Sequence, residues 1–160
     1  MGNNEAPTYL TEEGARKLRE ELDELVNVRR PALARQLREA ISMGDLSENA
    51  DYHDTKEQQA FLEGRVQQLE HLLRHAIVVP DDHKTDTIHV GSRVTLVEEG
   101  FESEGAQTYL IVGPAEANPA EGKISHESPM GSALMGRRAG ETVRVRAPAG
   151  ELRFKIESVE

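Results

Sequence analysis

The sequence predicts an α+β protein: an N-terminal antiparallel coiled-coil hairpin followed by a small C-terminal antiparallel sheet with one short helix. Three observations predict it. Apolar residues recur at spacings of three and four through the first half, they alternate in short runs bounded by glycine and proline through the second, and a proline- and acid-rich stretch separates the two periods. The expected organisation is a hairpin over residues 1–78 with an acidic tip near 44–51, a linker over 79–87 and a globular domain over 88–160.

The first helix is expected from Thr11 to about Ser42. Thr11 can act as its N-cap, and Glu12 and Glu13 suit the positive end of the helix dipole. Leu18, Leu22 and Leu25 form an apolar stripe that Leu33, Leu37 and Ile41 continue. Arg30 and Pro31 disturb it, because proline lacks a backbone donor and crowds the preceding turn; a bend, not a terminus, is expected there. In "ISMGD", Gly44 can take the positive φ that ends a helix. The second helix should run to about Ala76, with Leu62, Val66, Leu69, Leu73 and Ala76 spaced as a heptad seam. Two such arms of about 30 residues would each be roughly 45 Å long. "VVPDDHKTDT" has no apolar period and reads as the linker.

Beyond it, "IHVGSRVTLV", "AQTYLIVG", "ETVRVRA" and "ELRFKIESV" read as strands, with "APAG" as a hairpin connection between the last two. "SPMGSALMG" suits a short helix with Ser128 as N-cap, Pro129 at its first position and Gly136 beyond its end.

Composition narrows the function. The chain has 160 residues, no cysteine and a formal net charge of -10. Disulfides, thiol nucleophiles and thiolate zinc sites are thereby excluded. Residues 1–79 hold 15 acids and 10 bases, and residues 80–160 hold 14 and 9, so neither half is basic. Independent binding to duplex DNA is disfavoured, since phosphates select clustered positive charge; any nucleic acid is expected to be presented by a partner. No run of about 18 apolar residues is present, and "MGNNEAPTYL" lacks the basic and apolar regions of a secretory signal, so no membrane association and a cytoplasmic location are expected.

The segment "GDLSENADYHDTKEQQ", Gly44 to Gln59, sits at the expected tip. Asp45 and Glu48 are spaced as a capping box, in which Asp45 would cap the second helix and Glu48 reach back. The same spacing can also converge two carboxylates on one hard cation such as Mg2+, which takes one or two protein carboxylates and keeps its waters and substrate phosphates. So few ligands would bind weakly alone, so such a site would operate in trans. Asp51 suits the first turn of a helix, Tyr52 is expected to pack across the hairpin end, and His53 reads as an exposed helix histidine. Arg29, Arg30, Arg35, Arg38 and Lys56 form either a basic track for RNA or a solvated helix face. His71 and His75, at i and i+4, could clamp a metal with Asp81, Asp82 or His83 following, but they lack the intervening glutamate of a metalloprotease helix and stand near a helix end, so no zinc site is expected.

"GDLSENADYHDTKEQQAFLEGRVQQLE" and "EGKISHESPMGSALMGRRAGETVRVRAPAGELRFKIESV" resemble, in order, the two halves of the GreA/GreB family of bacterial transcript cleavage factors; the likeness covers nearly all of the chain after about Tyr9. The resemblance implies a coiled coil that enters the secondary channel of RNA polymerase and an FKBP-like domain that holds the channel rim. It implies that Asp45 and Glu48 help hold a second Mg2+ shared with the polymerase and orient the attacking water, so that the polymerase's own nuclease activity is stimulated and a monomeric factor has no turnover alone. A basic residue at Lys56 is compatible with contact to the nascent RNA 3′ end, with Arg38 a further candidate, and Ser128 and Pro129 match a segment associated with docking on the polymerase. The competing reading is a channel-occupying inhibitor without cleavage activity; "DLSEN" keeps the two-acid arrangement, which favours cleavage. A peptidyl-prolyl isomerase would need an apolar, aromatic-lined pocket, for which the second half offers only Phe101, Tyr109 and Phe154.

Overall fold

The computed structural model describes residues 7–44, 48–81 and 86–160. Its elements are strand β1 (Tyr9–Thr11), helix α1 (Glu12–Glu24), a π-helical segment (Leu25–Arg29), α2 (Arg30–Ser42), α3 (Ala50–His75), β2 (Ile77–Val79), β3 (Arg93–Glu98), β4 (Gln107–Val112), β5 (Lys123–Ser125), α4 (Pro129–Leu134), β6 (Thr142–Ala147) and β7 (Gly150–Val159). Two compact units result: Ala15–His75, and the residues up to Gly14 together with Ala76–Glu160.

The first unit is an antiparallel helical hairpin. Leu33, Leu62 and Val66 are buried at its centre, with Leu22, Leu25 and Val26 packed against them. The disturbance at Arg30 and Pro31 takes a definite form: the helix continues, but through a π segment in which the Arg30 N–H bonds to the Leu25 carbonyl. A π turn inserts one extra residue. Leu25 and Leu33 are eight apart, one more than a heptad, and the insertion absorbs that residue so that both face α3. The stripe then closes on Ala40, which is 3% exposed, whereas Ile41, expected on the seam, is 49% exposed. A step of three after Leu37 keeps the face; a step of four leaves it.

Two forked ion pairs cross the hairpin. Arg65 donates from Nε and Nη2 to the Glu21 carboxylate at 2.7 and 2.9 Å, and Arg30 does the same to Glu63 at 2.7 and 2.9 Å. Each fork holds its guanidinium above the ordinary arginine range, chiefly through the hydrogen bond to the paired carboxylate. Their side chains are about two-fifths exposed, so these pairs fix register more than they add stability.

The second unit is built on a five-stranded sheet in the order β5-β4-β3-β7-β6. The pairs β3–β4, β3–β7 and β6–β7 are antiparallel, as expected, and Ala147 pairs with Gly150 across the "APAG" turn. The sheet is not wholly antiparallel: β5 pairs parallel to β4, because the chain between them, "GPAEANPAEG", returns through two 3-10 turns instead of a hairpin. Val94, Leu96, Ile111, Val143, Val145, Phe154 and Ile156 alternate into one buried face, on which Leu134 of α4 is packed.

Tyr9–Thr11 pairs in parallel with Ile77–Val79, and this ribbon belongs to the globular unit. Thr11 donates from its N–H and its Oγ1 to the two oxygens of Glu116, at 2.8 and 2.6 Å, while Oγ1 accepts from the Gly14 N–H at 3.0 Å. Thr11 is thus the expected N-cap of α1, with its hydroxyl oriented by a carboxylate 105 residues away. On the same seat the Tyr9 carbonyl lies so close to Gly113 that a Cβ there would stand 1.7 Å from its oxygen.

Candidate functional site at the hairpin tip

The tip is organised by Asn49. Its side-chain carbonyl accepts from the Tyr52 N–H at 3.1 Å, which makes Asn49 the N-cap of α3. Its amide donates to the Ala40 carbonyl in the last turn of α2 at 2.6 Å. One side chain therefore satisfies an orphan donor at the start of one arm and a carbonyl near the end of the other. On the α2 side, Gly44 has φ +114°, the conformation expected of it.

The Glu48 half of the capping box expected with Asp45 is not formed. The helix starts five residues after Asp45, and Glu48 lies just ahead of the true cap. In the local sequence D-x-x-E is the stronger pattern; the signal for Asn49 is an asparagine directly before an alanine-led helix with Asp51 in the first turn. Freed from a cap, the Glu48 carboxylate is exposed and lines a cleft of about 390 Å³ with Met43, Asn49, Ala50 and Asp51. Asp45 lies outside the described residues.

Other candidates sort by exposure. Asp51 is exposed in the first turn of α3, as its charge favours. Tyr52 is half-buried, its ring edge-on to that of exposed His53 at 5.4 Å between centroids. Arg29, Arg35, Arg38 and Lys56 are exposed, whereas Arg30 commits its Nε and Nη2 to the Glu63 carboxylate. His71 and His75 stack edge-on at 4.4 Å, and no group of three or more histidine or acidic side chains able to hold a metal occurs among the described residues. In the second unit Ser128 caps α4 as expected, accepting from the Gly131 N–H at 3.0 Å, with half-exposed Oγ also donating to the Ser125 carbonyl at 2.7 Å. Pro129 is exposed at the first helical position, and Gly136 follows the helix with φ +76°.

What these units define is a helical hairpin with a charged end and a small sheet-and-helix unit. Residues 8–78 match the family profile described as "Transcription elongation factor, N-terminal", and residues 83–160 match "Transcription elongation factor, GreA/GreB, C-term". The chain is 45% identical over 157 residues to transcription elongation factor GreA of Chloroflexus aurantiacus, covering 97% of this chain and 98% of that protein. It is 42% identical to GreA of Geobacillus kaustophilus, covering 98% and 99%. A crystal structure of GreA factor homolog 1 from Thermus thermophilus aligns over 97% of this chain and 99% of that one, at 28% identity and a TM-score of 0.44. The chain belongs to the GreA/GreB family of transcription elongation factors. None of its described helices is long and apolar enough to cross a membrane.

Proposed function

We propose that this protein acts in the cytoplasm as a transcript cleavage factor, carrying Asp45 and Glu48 through the secondary channel of RNA polymerase to a backtracked active site. The observation that carries the reading is the exposed Glu48 carboxylate immediately ahead of the double-bonded Asn49 cap, in a chain of this family. Carboxylate oxygens are the donors a hard cation takes, and a tip offering one or two of them fits a Mg2+ whose other ligands come from the polymerase and the RNA phosphate. When bound, that ion supplies charge stabilisation and an activated water for phosphodiester hydrolysis. The chain's own part is to hold Glu48 in place through Asn49, to present Asp45 beside it, and to accept hydrogen bonds that aim the water at the phosphorus. Lys56 and Arg38 serve the nascent RNA 3′ end, and Ser128 with Pro129 the docking of the globular unit on the polymerase. The factor stimulates the polymerase's reaction and turns over nothing alone.

The test is release of 3′-terminal RNA from a polymerase assembled on a backtracking scaffold. An Asp45→Asn, Glu48→Gln variant should lose at least about tenfold in cleavage rate with its melting temperature unchanged, since Asn49 supplies the cap of α3. Full activity in that variant would exclude metal delivery, and wild type that inhibits the polymerase without cleaving would establish the inhibitor reading instead.

A further inference from the structure

On the outer side of α3, Phe61 is 74% exposed. Three residues on, Gly64 stands in the middle of the helix, where a Cβ would meet nothing within 4 Å. Both cost something: the ring is left in water, and a mid-helix glycine is about 1 kcal/mol worse than alanine. No contact within the hairpin asks for either. Together with Glu57, Ala60, Arg65 and Gln68 they line a shallow cleft of about 500 Å³. The residues at 57, 61, 64 and 68 follow steps of four, three and four, the spacing of a helical seam turned away from the seam that closes the hairpin.

We infer that the Phe61–Gly64 cleft is a protein-contact surface, seated on the wall of the polymerase channel, where an apolar side chain fills the gap over Gly64 and a basic group faces Glu57. This rests on the function proposed above. Charge argues for protein over RNA: Arg65 is matched by the fork to Glu21, which leaves Glu57 as the net charge at the cleft, and that charge repels phosphate. Area argues for the polymerase over a second copy of this chain. A stable dimer buries about 800 Å² and some 20–30 residues on each side, and this cleft supplies six residues of one helix. Six are enough for a hairpin already tethered by its globular unit, because a second contact on a tethered molecule forms at an effective concentration in the millimolar range. Phe61 is the anchor such a patch needs, and the missing Gly64 side chain is the pocket beside it.

The test pairs a photocrosslink with affinity. A benzophenone-bearing residue replacing Phe61 should crosslink to a polymerase subunit in the assembled backtracked complex. Phe61→Ser and Gly64→Leu should each weaken binding to core polymerase about tenfold, whereas Phe61→Leu should bind near wild type; no variant should melt below wild type by more than a degree or so, and Gly64→Leu should melt slightly higher because it replaces a mid-helix glycine. A crosslink to RNA or to a second copy of the factor, no crosslink, or unchanged affinity in Phe61→Ser overturns the inference. If wild type binds and cleaves while Phe61→Ser binds equally well, only the cleft is lost; if wild type does neither, the proposed function falls first and the cleft with it.

Discussion

Replacing Asn49 tests whether one side chain holds the hairpin end. Asn49→Ala removes the cap to the Tyr52 N–H and the bond to the Ala40 carbonyl, at 3.1 and 2.6 Å. A lost cap costs about 1 kcal/mol and a lost neutral hydrogen bond about another, so the expected loss is about 2 kcal/mol. Asn49→Ser keeps a capping oxygen but cannot reach the second helix, and should lose about half of that. Asn49→Asp caps equally well yet turns a carboxylate oxygen toward the Ala40 carbonyl, so it should be less stable than its capping strength alone predicts. Because the chain has two units, a single melting temperature mixes their contributions, and the suitable assay is native-state hydrogen exchange of the amides at the start of α3. Their protection should fall about thirtyfold in Asn49→Ala, the equivalent of about 2 kcal/mol, with the amides of β3 and β7 unchanged. Cleavage of backtracked RNA should fall as well, since Glu48 is the next residue. Exchange within twofold of wild type in Asn49→Ala would refute the claim that this residue organises the tip.

Gly113→Ala would put a methyl 1.7 Å from the Tyr9 carbonyl oxygen, so β1 must leave its seat; we expect a loss of about 1–3 kcal/mol, measured by urea unfolding, and faster exchange at the Ile77 amide, which bonds to the Thr8 carbonyl. Glu63→Gln leaves Arg30 with one neutral partner and should lower the melting temperature only slightly at low salt, a difference that vanishes near 1 M salt when melting curves are compared. Glu102 is held below the ordinary carboxylate value of 4.5, chiefly by the Gly100 N–H, so its contribution to stability is present above that value and lost as pH falls through the lower folded one. Melting curves of Glu102→Gln and wild type should therefore converge below about pH 4.5 and separate, with wild type higher, toward neutrality.

Much of this was legible in the chain. Apolar spacing gave both arms, because a helix repeats its face every three or four residues whatever it packs on. Alternation gave β3, β4, β6 and β7, and Ser128, Pro129, Thr11 and Gly44 act as their chemistry demands. Three kinds of feature were not legible. Strands β1, β2 and β5 have three residues each, too few to show a period, and they exist because a distant segment offers a free edge. The cap at Asn49 won over the Asp45–Glu48 box because its amide has a second partner on α2, which no local pattern contains. Arg30 looked like part of a basic track until Glu63, 33 residues on, came within its reach.

The division follows from the range of the forces. The sequence by itself determined the two helical arms, the longer strands β3, β4, β6 and β7, the two-acid segment between the arms and the family, since each depends on neighbours within a few residues or on an ordered match along the chain. Tertiary structure decided which side chain caps, which charge is spent in a fork, where the extra residue between Leu25 and Leu33 is absorbed, and that Thr11 answers to Glu116. Those outcomes depend on distances between residues far apart in sequence, and such distances exist only once the arms and the sheet have packed.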